Sequence, residues 1–113
     1  MENKGILEKK AKLFALEIIK KFNEQANKNC LFNQLLRSAT SIGANLIEAN
    51  YGVSKADFIS KMHISAKECA ETKYWLELLT EANLIDKKEN DLICKCDELL
   101  RMITASLNTA KKI

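Results

Sequence analysis

Proline is absent from this 113-residue sequence, glycine occurs three times, and aromatic residues make up only 6%. Loop-rich β-sandwiches, collagen-like repeats and proline-rich disordered tails depend on these residue types, so the composition argues against all three. The many leucine, alanine, lysine and glutamate residues favour long helices instead. The length suits a single domain covering residues 1–113.

The net charge is also small, since 18 Lys and Arg residues against 15 Asp and Glu residues leave +3. An obvious nucleic-acid binder has a denser cationic surface. The positive excess lies in residues 1–30, which hold seven Lys and four Glu. The candidate phosphate contacts in this segment are Lys9, Lys12, Lys20 and Lys21. The alternative is a solvated helix face on which lysines alternate with glutamates.

The four cysteines are not accompanied by a secretory signal, since the N-terminus lacks an apolar segment and a small-residue cleavage site. We therefore expect a reduced, cytoplasmic protein. Cys94 and Cys96 are rotated by about 200° on a helix, which argues against a shared zinc ion. No apolar run approaches the roughly 20 residues of a membrane span. We expect no metal, no cofactor and no membrane partner.

Apolar residues recur at spacings of three and four in four segments, which predicts four amphipathic helices. The helices are expected to begin and end near Ile6 and Phe22, Cys30 and Asn50, Ser54 and Ala82, and Asp86 and Ala110. The polar stretch 23–29 is the first connection, and Asn29 caps the second helix. Capping-box patterns at residues 54–57 and 86–89 open the last two helices. Links this short predict an all-α, antiparallel up-down-up-down four-helix bundle.

The apolar positions define the expected core faces. In the first helix they are Ile6, Leu7, Ala11, Leu13, Phe14, Ile18 and Phe22. In the third they are Phe58, Ile59, Met62, Ala66, Cys69, Ala70, Leu76 and Leu79. In the fourth they are Leu92, Ile93, Cys96, Leu99, Leu100, Ile103 and Leu107.

The second helix carries a polar stripe on one face, formed by Arg37, Ser41, Asn45 and Glu48. Because Arg37 and Glu48 lie about 16 Å apart along the axis, each needs a partner on another helix or subunit. The candidate partners on the third helix are Lys67, Glu68 and Glu71. The stripe is either a binding groove or a hydrogen-bonded layer that fixes bundle register or an oligomer contact.

Small residues on the second helix, Ala39, Gly43 and Ala44, indicate close approach by a neighbouring helix. His63, the single histidine, lacks the partners of a catalytic base. The adjacent Tyr74 and Trp75 cannot both face inward, so one is exposed, lies in a subunit interface, or stacks on nucleic-acid bases. Phosphate-loop, dinucleotide-binding, zinc-protease and serine-hydrolase motifs are all absent, and we expect no enzymatic activity.

Residues 34–45, Glu48, 54–58 and 67–79 together resemble the bacterial four helix bundle protein family, also called 23S rRNA-intervening sequence or S23 proteins. The resemblance implies a cytoplasmic bundle that assembles as a homopentamer, without an established enzyme activity. The family is similar to accessory proteins of diversity-generating retroelements, which associate with nucleic acid and reverse transcriptase. The expected partners are therefore other copies of the chain, RNA, or a nucleic-acid-processing protein.

The expected function is a non-enzymatic, homo-oligomeric binding or scaffolding protein. The alternative is an RNA-binding protein that uses a basic ring surface, since five copies of this chain carry a charge of about +15. A third hypothesis is a ligand carrier or enzyme that works through Arg37, Asn45, Glu48 and Glu71.

Overall fold

The computed structural model describes residues 5–112 and contains four helices and no strand in that range. The helices are α1 (Ile6–Ala26), α2 (Cys30–Asn50), α3 (Lys55–Glu81) and α4 (Asp91–Lys112). Each helix packs on its neighbours in chain order, and α4 returns to α1, which closes an antiparallel bundle of 45 × 22 × 21 Å. The predicted four-helix class is confirmed.

Helix α1 is longer than predicted, since it continues to Ala26 and includes half of the expected connection. Ala26 packs against the core, and this contact outweighs the weak helix preference of the asparagine-rich segment. Asn29 caps α2 as predicted, because its side chain accepts a hydrogen bond from the Leu31 amide at 2.8 Å. The predicted limits of α2 are confirmed.

Ser54 also caps its helix, since its hydroxyl accepts a hydrogen bond from the Asp57 amide at 3.1 Å. The capping-box pattern at residues 86–89 was predicted to open the fourth helix, and this prediction was wrong. Asp86 accepts a bond from the Lys88 amide at 3.0 Å and opens a short 3₁₀ turn, Lys87–Glu89, rather than the helix. Helix α4 begins after this turn, at Asp91.

One continuous apolar core joins the four helices. On α1 it includes Ala11, Phe14, Ile18 and Phe22. Leu13 was expected there and is 66% exposed, because it is rotated by about 100° from Phe14. Ile6 is also exposed. The core positions predicted for α4 are buried or partly buried.

The buried seam of α3 alternates spacings of three and four, as in a heptad repeat. Its residues are Met62, Ser65, Cys69, Thr72, Leu76 and Leu79. Ala70 was expected in this seam and is exposed. Ser65 and Thr72 are fully buried instead, although the apolar pattern of the sequence does not include either residue.

Candidate functional site

Arg37 on α2 and two carboxylates on α3 form a polar cluster across the α2–α3 contact. Nη1 of Arg37 lies 3.3 Å from Oε1 of Glu68, and Nη2 bonds to Oε2 of Glu71. The same Glu71 oxygen accepts a hydrogen bond from Nε1 of Trp75 at 2.9 Å. Two of the three partners proposed from the sequence, Glu68 and Glu71, are therefore in place.

The cluster changes the ionisation of its own members. The indole N–H of Trp75 and the guanidinium of Arg37 lower the pKa of Glu71 below its ordinary value of 4.5. The hydrogen bond with Glu71 raises the pKa of Arg37. These interactions favour the charged forms of Arg37 and Glu71, which form an ion pair between α2 and α3.

The rest of the polar stripe does not join this cluster. Ser41 donates to the carbonyl oxygen of Arg37 at 2.7 Å, and Asn45 donates to that of Ser41 at 2.8 Å, so both bond to their own helix. Glu48 pairs with Lys61 on α3 at 2.8 Å. The four residues of the polar stripe are thus divided among local helix contacts and two separate ion-pair sites.

A buried polar layer lies behind the stripe, between α2 and α3. The hydroxyl of Thr72 donates to that of Ser38 at 2.9 Å, and the Ser38 hydroxyl in turn donates to the carbonyl of Leu35. Ser65 donates to the carbonyl of Ile42 at 2.9 Å. Among the described residues, no buried side-chain nitrogen or oxygen lacks a hydrogen-bond partner.

The candidate phosphate contacts on α1 differ in their surroundings. Lys21 pairs with Glu89 at 3.0 Å and lies 4.0 Å from Glu17. Within residues 5–112, Lys9, Lys12 and Lys20 form no ion pair. These three lysines share an exposed face of α1 with Leu13 and Leu16. This face therefore combines positive charges with exposed apolar side chains. The charge pattern of the sequence did not predict the apolar part.

Helix α2 has an outward face without charge. Its only charged residues, Arg37 and Glu48, both pair with α3. One exposed side of α2 is small or apolar, namely Thr40, Ala44, Ile47 and the following Tyr51. The polar and charged exposed positions of the helix are Asn33, Gln34, Arg37, Glu48 and Asn50. Ile47 exposes 48% of its surface and Tyr51 82%. Solvated helices ordinarily place charged side chains at such positions.

An open groove of about 480 Å³ runs between this face and α1. Its floor consists of small side chains, namely Ala11, Ala15, Gly43 and Ala44. Helix α1 is the neighbour at Gly43, but a Cβ atom on Gly43 would lie 3.6 Å from Cβ of Ala11, an ordinary van der Waals distance, so the packing does not require a glycine there. Lys9 and Lys12 lie at its edge.

The two adjacent aromatic residues of α3 differ in burial, as their spacing predicted. Trp75 is partly buried against the core, and Tyr74 is 56% exposed. Their rings meet edge to face with centroids 5.3 Å apart. His63 lies on an exposed position of the same helix.

The cysteines also divide by burial, since Cys69 and Cys96 are buried whereas Cys30 and Cys94 are exposed. The two cysteines of the C-x-C pair, Cys94 and Cys96, therefore lie in different environments. No group of three or more potential metal ligands occurs within residues 5–112. None of the helices in the same range combines the length and the apolar composition of a transmembrane span.

Comparison with known proteins places this architecture in a family. The family model described as 23S rRNA-intervening sequence protein matches residues 4–105. The chain is also similar to a crystal structure from Bacteroides thetaiotaomicron, described as a protein with unknown function from the S23 ribosomal protein family. The two share 36% identity over 89% of this chain and 97% of that chain, with a TM-score of 0.83. A comparison with curated proteins gives no match.

Proposed function

The chain belongs to the 23S rRNA-intervening sequence protein family, and from this starting point we propose that it is a non-enzymatic scaffold that works as an assembly of identical copies. The carrying observation is the uncharged outward face of α2 beside the α1–α2 groove. Exposed apolar surface of this kind is typical of protein–protein contacts. The family resemblance leads us to expect five copies, and the free cysteines fit a cytoplasmic location.

The mass of the protein in solution tests this proposal. Light scattering after gel filtration at micromolar concentration is expected to give five times the 12.8 kDa of one chain. Ile47→Lys places a charge on the outward face of α2 and is expected to reduce the mass. Leu84→Lys is the matched control, because Leu84 is equally exposed but lies in the α3–α4 connection. A monomeric wild-type protein contradicts the proposal.

RNA binding by the assembly is a second candidate, favoured by the three lysines of α1 that form no ion pair in the described part of the chain. An assembly carries these lysines once in every copy, so its positive electrostatic potential is stronger than that of a single chain. Fluorescence anisotropy with mixed-sequence RNA is expected to show an affinity that falls as salt rises. Lys20→Glu is expected to weaken binding more than Lys28→Glu, the control in the α1–α2 connection. An affinity that does not change with salt contradicts this candidate.

A further inference from the structure

Two surfaces of the bundle are opposite in curvature and in net charge. The groove face consists of the α1–α2 groove with its small floor residues and the two lysines at its edge, Lys9 and Lys12. The ridge face consists of four exposed residues on one side of α3, namely Tyr74, Glu77, Leu78 and Glu81. Their spacings of three, four and seven place them on one helix face. One surface is concave and cationic, and the other is convex and anionic.

Ion pairs among residues 5–112 do not neutralise either surface. In the described part of the chain, Glu77 and Glu81 form no ion pair, whereas the neighbouring Lys73 pairs with Asp97 at 3.0 Å. At the groove, the acidic residue Glu8 accepts a hydrogen bond from Asn50 at 3.0 Å. This bond comes from a neutral amide and leaves Glu8 charged, so the groove carries Lys9 and Lys12 against Glu8 and is net positive, whereas the ridge is net negative.

Two of these charges oppose the dipoles of their own helices. Lys9 lies in the first turn of α1, where the helix dipole favours anions. Glu81 lies in the last turn of α3, where the dipole favours cations and no basic residue is present. The dipole therefore does not account for Lys9 or Glu81. A contact with a second copy gives both residues a physical reason.

The two surfaces cannot meet within one molecule, because α1 and α3 occupy diagonal corners of the bundle and share no substantial contact. We propose that the groove face of one copy receives the ridge face of a second copy, with Tyr74 and Leu78 in the groove and the glutamates beside the lysines. This inference rests on the proposed self-association and specifies its geometry. The contact joins two different surfaces, so copies associate head to tail and form a ring where the rotation closes.

Charge reversal tests the proposed contact. The groove variant is Lys9→Glu/Lys12→Glu, and the ridge variant is Glu77→Lys/Glu81→Lys. Each places like charges opposite one another and is expected to shift the mass in light scattering towards that of one chain. Both variants improve the match to the helix dipoles, so circular dichroism is expected to show native helix content.

Restoration of the assembly distinguishes this contact from any other. Mixing the groove variant with the ridge variant is expected to restore large species, because each supplies the surface that complements the other. Combining all four substitutions in one chain is expected to restore self-association as well. A symmetric contact between two groove faces predicts no recovery in the four-substitution chain. A wild-type monomer overturns the proposed function, whereas a wild-type assembly that all these variants retain overturns only the head-to-tail contact.

Discussion

Cys69 on α3 and Cys96 on α4 exchange hydrogen bonds with each other's main chain. The Sγ atom of each residue lies 3.2 Å from the carbonyl oxygen of the other, and the two Sγ atoms are 3.6 Å apart. Both side chains are buried. The two thiols therefore join the helices as paired donors and are shielded from reagents in solvent.

This relationship predicts the reactivity of the four cysteines. In the native protein, Cys30 and Cys94 are expected to react with Ellman's reagent, and the buried pair only after unfolding. The measurement is the number of thiols titrated per chain before and after adding guanidinium. Cys94→Ser is expected to lower the native number by one, whereas Cys69→Ser leaves it unchanged. Rapid native reaction of all four thiols contradicts the prediction.

The same pair is expected to lower the free energy of unfolding at alkaline pH. The hydrogen bond with Cys69 and burial raise the pKa of Cys96 above its ordinary value of 9.0. Above that value the unfolded chain loses this proton while the folded chain keeps it, so the free energy of unfolding falls by about 1.4 kcal/mol per pH unit from this group. Urea unfolding at several pH values is expected to give a smaller slope for Cys96→Ala. Equal slopes in the two proteins would show that Cys96 does not contribute.

The Arg37–Glu71 pair predicts a dependence on acid pH. The folded-state pKa of Glu71 is lowered, so its contribution is present above the ordinary value of 4.5 and is lost as pH falls through the folded value. Glu71→Gln is expected to reduce the free energy of unfolding by about 1 kcal/mol or less at neutral pH, because the pair is partly exposed. The difference from wild type is expected to disappear in acid. A constant difference across this range contradicts the assignment.

The buried hydroxyls of Ser38 and Thr72 are expected to be energetically coupled. Thr72→Val removes the bond between them and is expected to cost about 1 kcal/mol in free energy of unfolding. Adding Ser38→Ala is expected to cost less in that background than in wild type, because the partner hydroxyl is already gone. Chemical unfolding of the four proteins in a double-mutant cycle measures the coupling. Strict additivity contradicts it.

Gly43 has room for one methyl group towards α1. The nearest atom on α1, Cβ of Ala11, would lie 3.6 Å from an added Cβ, an ordinary van der Waals distance. Since alanine is favoured over glycine inside a helix by about 1 kcal/mol, Gly43→Ala is expected to raise the thermal unfolding midpoint. A lower midpoint for Gly43→Ala would show that α1 requires glycine here.

Sequence reasoning identified part of the candidate site. It found Arg37 and its partners Glu68 and Glu71, because helical spacing determines which side chains share a face. It did not find the uncharged outward face of α2 or the groove beside it. Both depend on how α1 is rotated about its axis, and the apolar pattern that includes Leu13 does not define that rotation.

The sequence by itself determined the four helices, most of their limits and their antiparallel order, since periodicity, caps and link lengths are local properties. The tertiary structure decided which residues each helix buries. It placed Ser65 and Thr72 inside, where carbonyl and hydroxyl partners satisfy them, and it left Leu13 outside. A side chain is buried according to the groups that surround it in space. Those groups belong to other helices, and no local pattern specifies them.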